Sequence, residues 1–275
     1  MANDYNGMAG IKVTGFTKRK MPDMAADAER IPACILVDTS GSMSKWSALL
    51  KEASIRMIEA IAEDSKAKEK VDLEVITFNT EEQVCVKIEA QELYNLVDET
   101  TGKIKPDFEQ RLQFNCSGAT PTAYALAVAV DDLRNRYEKL KESSKAPKSP
   151  ILFVLSDGLP EVQDDIRAEH DKLLAEQLAR IKQLVGEDRL SVIAVKIGRI
   201  CGEPETKWEK NHFPEMHQLM QDITGLDNDH HVRMAKDTDD IAKFFEFTST
   251  LVKESASGKV SNINSMDLRN EHSEL

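Results

Sequence analysis

Three largely apolar runs of strand length constrain the fold of this 275-residue chain more than any other feature. They span residues 31–37, 150–155 and 190–197. Runs this short and this apolar are typical of parallel strands that are covered by helices on both faces. Between them lie longer stretches in which apolar residues recur at helical spacing, so strands and helices alternate along the chain.

A hairpin and several amphipathic segments complete the predicted architecture. Residues 71–78 and 82–88 are strand-like and are separated by a short polar link, which predicts that the second strand runs antiparallel at one edge of the sheet. The predicted helices span residues 46–64, 122–142, 166–185, 213–223 and 237–253, and a short last strand is predicted around Val232. The fold class is therefore α/β, doubly wound, with a mostly parallel central sheet, one antiparallel edge strand and helices on both faces.

The chain divides into one domain and two tails. Residues 1–29 are polar, without a sustained period, and are expected to form a flexible lead-in. Residues 30–254 carry the predicted strands and helices and are expected to form one domain. Residues 255–275 are rich in Ser, Asn and Gly, which predicts a disordered tail.

An acidic composition narrows the classes of partner. The chain has 36 basic and 48 acidic residues and a net charge of −12, which argues against binding to a nucleic-acid backbone or to an anionic membrane surface. Its apolar runs are far shorter than the ~20 residues that span a membrane, and the first residues do not resemble a signal peptide. Four cysteines without a CxxC pair are typical of a reduced, cytoplasmic protein.

The segment after the first apolar run supplies hard oxygen ligands. In Asp38-Thr39-Ser40-Gly41-Ser42, one carboxylate and two hydroxyls alternate directly after a buried strand. Such oxygens suit Mg²⁺, Ca²⁺ or Mn²⁺, and Mg²⁺ in particular leaves several octahedral positions to water or a partner. Taken alone, the same turn could also cap the following helix or hold a nucleophile.

Further oxygen donors are predicted at the same edge of the sheet. Thr120 precedes the helix that starts at Thr122, and Asp157 follows the strand of residues 150–155. Ligand sites of open parallel sheets lie at the carboxyl ends of the strands, where these loops converge. Thr122 is an alternative donor, but it is better placed as the first residue of the helix. The sequence thus predicts a metal site that consists of Asp38, Ser40, Ser42, Thr120 and Asp157.

These motifs resemble the metal-ion-dependent adhesion site of von Willebrand factor type A (VWA) domains. In that family, Asp-x-Ser-x-Ser ends the first strand, a threonine lies in a Gly-x-Thr-Pro loop, and an aspartate lies in an x-Asp-Gly loop. The matching segments here are residues 38–42, Gly118-Ala119-Thr120-Pro121 and Ser156-Asp157-Gly158. The resemblance covers residues 30–254 and implies a Rossmann-like domain.

The resemblance also implies a role for each residue. Ser40 and Ser42 would bind the metal directly, Thr120 directly or through water, and Asp38 and Asp157 mainly through metal-bound waters. The metal would be Mg²⁺, with Mn²⁺ or Ca²⁺ as alternatives, and would keep one position for an Asp or Glu of a partner protein. The implied function is a non-enzymatic, metal-dependent protein–protein interaction module.

A finer resemblance concerns bacterial intracellular members of the family that are associated with tellurium resistance. It is carried by Ile31-Pro32, by the loop and helix of residues 118–126, and by Phe244-Phe245-Glu246-Phe247. It implies a scaffold or regulator in a bacterial stress or defence system, with a kinase, phosphatase or ATPase as the partner.

Two chemical alternatives compete with this interpretation. A metal-dependent phosphatase or other hydrolase could use Asp38 as its nucleophile, but phosphatases of the haloacid-dehalogenase type need a second aspartate two residues later, where Ser40 stands. A zinc site could use Cys201, His212 and His217, although their spacing fits no closed zinc pattern. The acidic segment of residues 161–171 is interpreted as a solvated loop and helix start that could influence which partner approaches.

Overall fold

A mostly parallel sheet forms the centre of the molecule in the computed structural model, which describes residues 13–14, 29–80, 83–143 and 146–269. The strands are β1 (Val13–Thr14), β2 (Ile31–Asp38), β3 (Val71–Asn79), β4 (Gln83–Glu92), β5 (Ile151–Ser156), β6 (Ser191–Ile197) and β7 (Val232–Ala235). They lie in the order β1-β4-β3-β2-β5-β6-β7. Neighbours are parallel except β3 and β4, which form the predicted antiparallel pair, and β1 pairs along the outer side of β4.

Helices cover both faces of the sheet, so the predicted fold class is confirmed. They are α1 (Ser47–Glu63), α2 (Ser65–Lys70), α3 (Pro106–Arg111), α4 (Thr122–Glu142), α5 (Asp164–Gly186), α6 (Lys207–Thr224) and α7 (Thr238–Ser257). Along β2, Ile35 and Val37 pack with α1 and α7, whereas Cys34 and Leu36 pack with α4, α5 and α6. Successive strand side chains point to opposite faces, and here both faces are apolar core. Within the described ranges, no helix is long and apolar enough to cross a membrane.

The strand order reverses between β2 and β5. From β2 the chain continues through α1 to β3 on one side, whereas from β5 it continues through α5 to β6 on the other side. The two loops that leave these neighbouring strands therefore diverge, which opens a crevice at the carboxyl ends of β2 and β5. The connection from β4 through α4 returns the chain to β5 and brings a third loop to this edge.

Helix α6 is longer than predicted. The sequence analysis placed a helix at residues 213–223, but α6 begins at Lys207. Its start is set by a capping box, in which Thr206 accepts a hydrogen bond from the N–H of Glu209 and Glu209 accepts one from the N–H of Thr206. This reciprocal pair satisfies two N–H groups that would otherwise lack acceptors.

The predicted disordered tail is wrong for the part that the structure describes. Helix α7 continues to Ser257, and residues 258–269 pack against the sheet with Ile263 and Leu268 buried. The N–H of Leu268 donates to the carbonyl of His230 (2.8 Å), and Asn264 Nδ2 donates to the carbonyl of Leu190 (3.0 Å). Composition suggested disorder because the few apolar residues carry little weight in a polar segment, yet Ile263 and Leu268 are buried and Val260 and Met266 pack against the core.

The remainder of the two predicted tails lies outside the described residues, namely residues 1–12, 15–28 and 270–275. Of the predicted lead-in, Val13 and Thr14 form β1, and Glu29 forms ion pairs with Lys70 (3.1 Å) and Lys148 (3.5 Å). The domain boundary predicted at residue 254 thus excludes a segment that contributes to the core.

We expect Leu268→Ala to lower the free energy of unfolding by about 2–5 kcal/mol, the usual cost of removing a buried leucine side chain. Urea unfolding followed by circular dichroism measures this change. Lys259→Ala, at an exposed position of the same segment, is the control and should change stability by less than about 0.5 kcal/mol. Equal effects of the two substitutions would contradict the packing of this segment.

Candidate metal centre

The carboxyl ends of β2 and β5 bring two of the predicted ligands to one point. Val37 and Leu155 are paired in the sheet, so Asp38, which ends β2, lies beside Ser156, which ends β5. Asp157 is the next residue after β5. This is the crevice where the strand order reverses, and it matches the edge that the sequence predicted.

Asp38 is a buried carboxylate held by two neutral donors. It is fully buried, its Oδ1 accepts a hydrogen bond from the N–H of Ser40 (2.8 Å), and its Oδ2 accepts one from the hydroxyl of Ser156 (2.6 Å). Burial raises the pKa of Asp38 to about 6, although these hydrogen bonds oppose the rise; the charge of Asp157 adds to it. A cation at this point would offset the cost of the buried negative charge.

The hydroxyl of Ser42 connects the loops that follow β2 and β5. It donates a hydrogen bond to Oδ1 of Asp157 (2.7 Å), and its oxygen lies 3.1 Å from the hydroxyl oxygen of Ser40. Ser40 is buried and Ser42 is exposed, so the oxygens extend from the interior to solvent. Burial raises the pKa of Asp157, whereas the hydrogen bond from Ser42 and the charge of Lys45 lower it.

The loop that carries Thr120 is held by the other two loops. On one side, the N–H of Gly41 donates to the carbonyl of Gly118 (2.9 Å). On the other side, the N–H of Thr120 donates to the carbonyl of Glu161 (2.8 Å), and the carbonyl of Thr120 accepts in return from the N–H of Glu161 (3.1 Å). Thr120 is buried, and Glu161, the first acid of the acidic segment, is exposed beside it. Thr122 is the first residue of α4, in agreement with its interpretation as a helix-start residue.

Gly118 allows the loop that carries Thr120 to lie close to Thr80. Its φ of +65° lies in the left-handed region, and a Cβ at this position would overlap Oγ1 of Thr80. The same Thr80 oxygen accepts a hydrogen bond from the N–H of Ala119. Any other residue at position 118 would have to displace Thr80 or change the backbone that leads to Thr120.

The sequence analysis did not assign roles to several residues that support the centre. Besides Ser156, they include Asn79, the last residue of β3, whose Nδ2 donates to Oγ1 of Thr39 (3.2 Å) and to the carbonyl of Asn115 (3.1 Å). The position of Asn79 at a parallel strand's carboxyl end was a usable signal, since this edge is shared with β2 and β5. No comparable sequence pattern predicts the contact between Thr80 and the loop that contains Gly118.

The donor chemistry of the centre is hydroxyl oxygen supplemented by two carboxylates. Among the described residues, no group of three or more His, Cys, Asp or Glu side chains is arranged to hold a metal ion. The alternative zinc site gains no support from the contacts of its proposed ligands. His212 stacks on Trp208, and its Nδ1 lies 2.7 Å from the carbonyl of Trp208. The thiol of Cys201 donates to the carbonyl of Lys196. A cation at this centre would therefore depend on Ser and Thr hydroxyls.

An indole lies directly beyond the Ser42 loop. Trp46 ends the 3₁₀ turn Gly41–Trp46, and the ammonium of Lys45 lies 4.7 Å from the centroid of its ring. A Cβ on Gly198, in the segment after β6, would lie 3.4 Å from the Trp46 ring. The segment after β6 thus packs against the loop that carries Ser42.

Comparisons with known proteins identify the same family that the motifs suggested. The family model of the von Willebrand factor type A domain matches residues 34–247. A search of curated proteins found no significant match. Structures with a similar fold include the pilus adhesin SpaC from Lactobacillus rhamnosus GG, which is 13% identical and has a TM-score of 0.58, with 83% of this chain and 30% of that chain covered.

Two further structures give the same result. The PilB minor pilin from Streptococcus sanguinis is 14% identical, with a TM-score of 0.53 and coverage of 85% of this chain and 64% of that chain. A von Willebrand factor type A protein from Catenulispora acidiphila is 13% identical, with a TM-score of 0.51 and coverage of 82% and 43%. The chain spans less than two thirds of each of these longer proteins, and at such identities the likeness shows the fold alone.

The family model, in contrast, spans most of the chain. Its match begins within β2 and ends within α7, so it includes the three loops that meet at the carboxyl edge of the sheet. With the parallel sheet, the helices on both faces and this match, the protein belongs to the von Willebrand factor type A domain family.

Proposed function

We propose that this VWA domain binds a divalent cation, Mg²⁺ by preference, and uses it to bind an acidic side chain of a partner protein. The observation that carries the proposal is the group formed by Ser40, Ser42 and Asp157. Side-chain oxygens from two loops are linked here by hydrogen bonds, from Ser40 to Ser42 and from Ser42 to Asp157, and Ser42 is exposed to solvent. Hard cations prefer oxygen ligands of this kind.

The hydrogen bonds suggest how the hydroxyls would bind the cation. Because Ser42 donates its proton to Asp157, its oxygen accepts from Ser40 and keeps a second lone pair for a metal. Ser40, Ser42 and Thr120 would act as neutral ligands, with Asp38 and Asp157 acting mainly through metal-bound waters. A doubly charged cation with neutral direct ligands keeps most of its charge, so a carboxylate from a partner would be attracted strongly to its open position.

The burial of Asp38 favours binding over catalysis. Its two carboxylate oxygens already accept hydrogen bonds from the N–H of Ser40 and the hydroxyl of Ser156, and the residue is fully buried. A nucleophile must reach its substrate, and this carboxylate has no exposed surface. VWA domains are, moreover, usually non-catalytic interaction modules.

The biological setting is also part of the proposal. We infer a cytoplasmic scaffold or regulator of a bacterial stress or defence system, related to the tellurium-resistance-associated members, with a kinase, phosphatase or ATPase as the partner. Support comes from the sequence resemblance at Ile31-Pro32, residues 118–126 and Phe244-Phe245-Glu246-Phe247, and from the acidic net charge of −12, which disfavours nucleic acid and membrane surfaces.

Mg²⁺ should stabilise the wild-type protein, and Ser42→Ala should remove most of this effect because the exposed ligand is lost. At a Mg²⁺ concentration about 100 times the Kd, the stabilisation is about 2.7 kcal/mol, or roughly 5–10 °C in Tm. Differential scanning calorimetry with Mg²⁺ and with EDTA measures the shift. Ser44→Ala, an exposed serine in the same turn, should respond to Mg²⁺ like the wild type; an equal response of Ser42→Ala would exclude the proposed ligand.

Asp38→Asn should stabilise the protein in EDTA at pH 7.5, by up to about 3 kcal/mol, while abolishing the response to Mg²⁺. Burial raises the pKa of Asp38 from 3.8 to about 6, so the folded protein holds a costly ionised carboxylate above pH 6. Between about pH 6 and 4 the folded wild type takes up the proton and regains stability, so the advantage of the variant should shrink over this window. Urea unfolding at a series of pH values tests this; an advantage that is independent of pH would contradict it.

The function itself can be tested by capture and by assay. Immobilised wild-type protein should retain a specific host protein in Mg²⁺ and release it in EDTA, and Thr120→Ala should not retain it. The same preparation, incubated with Mg²⁺ and a chromogenic phosphate ester, should show no turnover. Metal-dependent turnover that Asp38→Asn abolishes would instead establish the hydrolase alternative.

A further inference from the structure

Helix α4, which follows the Thr120 loop, lacks a side-chain cap of its own. The residue before its first turn is Pro121, whose side chain accepts no hydrogen bond. The first N–H groups of a helix have no acceptor within the helix and need one from elsewhere. Here the N–H of Ala123 donates to Nε2 of His170, at 3.1 Å. A side chain of α5 thus supplies the acceptor that α4 itself does not provide.

The state of the His170 ring is defined by its contacts. The residue is fully buried, and its ring meets Tyr124 edge-on, with ring centroids 5.7 Å apart and an interplanar angle of 86°. Because Nε2 accepts the hydrogen bond from Ala123, the neutral ring carries its proton on Nδ1, which lies 3.3 Å from Oδ1 of Asp171. Burial lowers the pKa of His170, which favours this neutral form.

The contact joins two parts of the candidate metal centre. Ala123, in the first turn of α4, follows Thr120 by three residues, and the backbone of Thr120 is already bound in both directions to Glu161. Glu161 and His170 both belong to the segment that begins with Asp157 and continues into α5. The start of α4 is therefore attached at two points to the segment that carries Asp157.

We propose that His170 is a positioning residue for the metal centre: by accepting the N–H of Ala123, it fixes the first turn of α4 and hence the Thr120 hydroxyl relative to Asp157. This inference rests on the function proposed above, since it concerns the affinity of the same site. Groups that orient metal ligands without touching the metal typically contribute about 10–100-fold to metal affinity. The five proposed ligand residues alone do not indicate that His170 contributes to metal affinity.

The chain offers a matched control in His231. This histidine is equally buried, and its Nδ1 and Nε2 lie 2.9 and 3.0 Å from the carbonyls of Val192 and Ile263. It therefore connects β6 to the C-terminal segment, whereas His170 connects α5 to the start of α4. Removal of either ring should lower stability, but only His170 should influence the metal centre.

Isothermal titration of the full chain with Mg²⁺ separates these effects, with Tm recorded for each variant. We expect His170→Leu, which removes the acceptor, to weaken Mg²⁺ binding about tenfold or more. His170→Gln, whose side-chain oxygen can accept the same N–H, should bind Mg²⁺ nearly as the wild type does. His231→Leu should lower Tm and leave Mg²⁺ affinity unchanged.

The outcomes distinguish the two proposals. If the wild type binds Mg²⁺ and His170→Leu binds it equally well, or if His231→Leu is weakened as much as His170→Leu, the positioning role is wrong and the proposed function stands. If the wild type binds no Mg²⁺, the proposed function fails and this inference fails with it. If His170→Gln bound Mg²⁺ as weakly as His170→Leu does, this result would likewise contradict the role of the side-chain acceptor.

A measurement on the wild type covers the case in which His170→Leu does not fold. In ¹⁵N-resolved NMR spectra, Nε2 of His170 should resonate as an unprotonated nitrogen coupled to the N–H of Ala123, and both signals should shift when Mg²⁺ is added. A His170 ring that is protonated at Nε2 would overturn the proposal. So would unchanged signals of His170 Nε2 and the Ala123 N–H on addition of Mg²⁺ that shifts the Thr120 amide signal.

Discussion

A buried negative charge at the end of the central strand is the constraint on which the carboxyl edge of this domain depends. Asp38 is fully buried, and its oxygens are held by the N–H of Ser40 and the hydroxyl of Ser156. Hydrogen bonds to neutral groups compensate only part of the cost of burying a carboxylate, as its raised pKa indicates. The fold thus holds an incompletely compensated charge at the point where its loops meet, which is an arrangement suited to a cation.

The sheet topology explains why the loops meet there. The reversal of strand order between β2 and β5 separates their outgoing connections and leaves room for the loop that precedes α4. That loop is then bound from both sides, by Gly41 and by Glu161. Three segments distant in sequence are therefore held together by backbone hydrogen bonds, so their alignment does not depend on the side chains of residues 40, 42 and 120.

Much of this arrangement could be predicted from sequence, since it follows from regular elements. Apolar runs located the strands, and the rule that parallel strands share a carboxyl edge predicts that Asp38 and Asp157 lie close together. The contacts of Gly118 with Thr80 and of His170 with Ala123 could not be predicted, because they join segments whose spacing is set by packing. The packing of residues 258–269 could not be predicted for a similar reason: the segment is held by the carbonyls of Leu190 and His230, which precede β6 and β7 and are distant in sequence.

The position of Trp46 has a practical consequence. Its indole follows Ser42 by four residues, is partly buried against the core and contacts the segment after β6. Its fluorescence should therefore respond to small rearrangements of the Ser42 loop. The second tryptophan, Trp208, is largely exposed, so its emission should lie at longer wavelength and be quenched preferentially by iodide. The protein thus carries a native optical reporter beside its candidate metal centre and needs no attached dye.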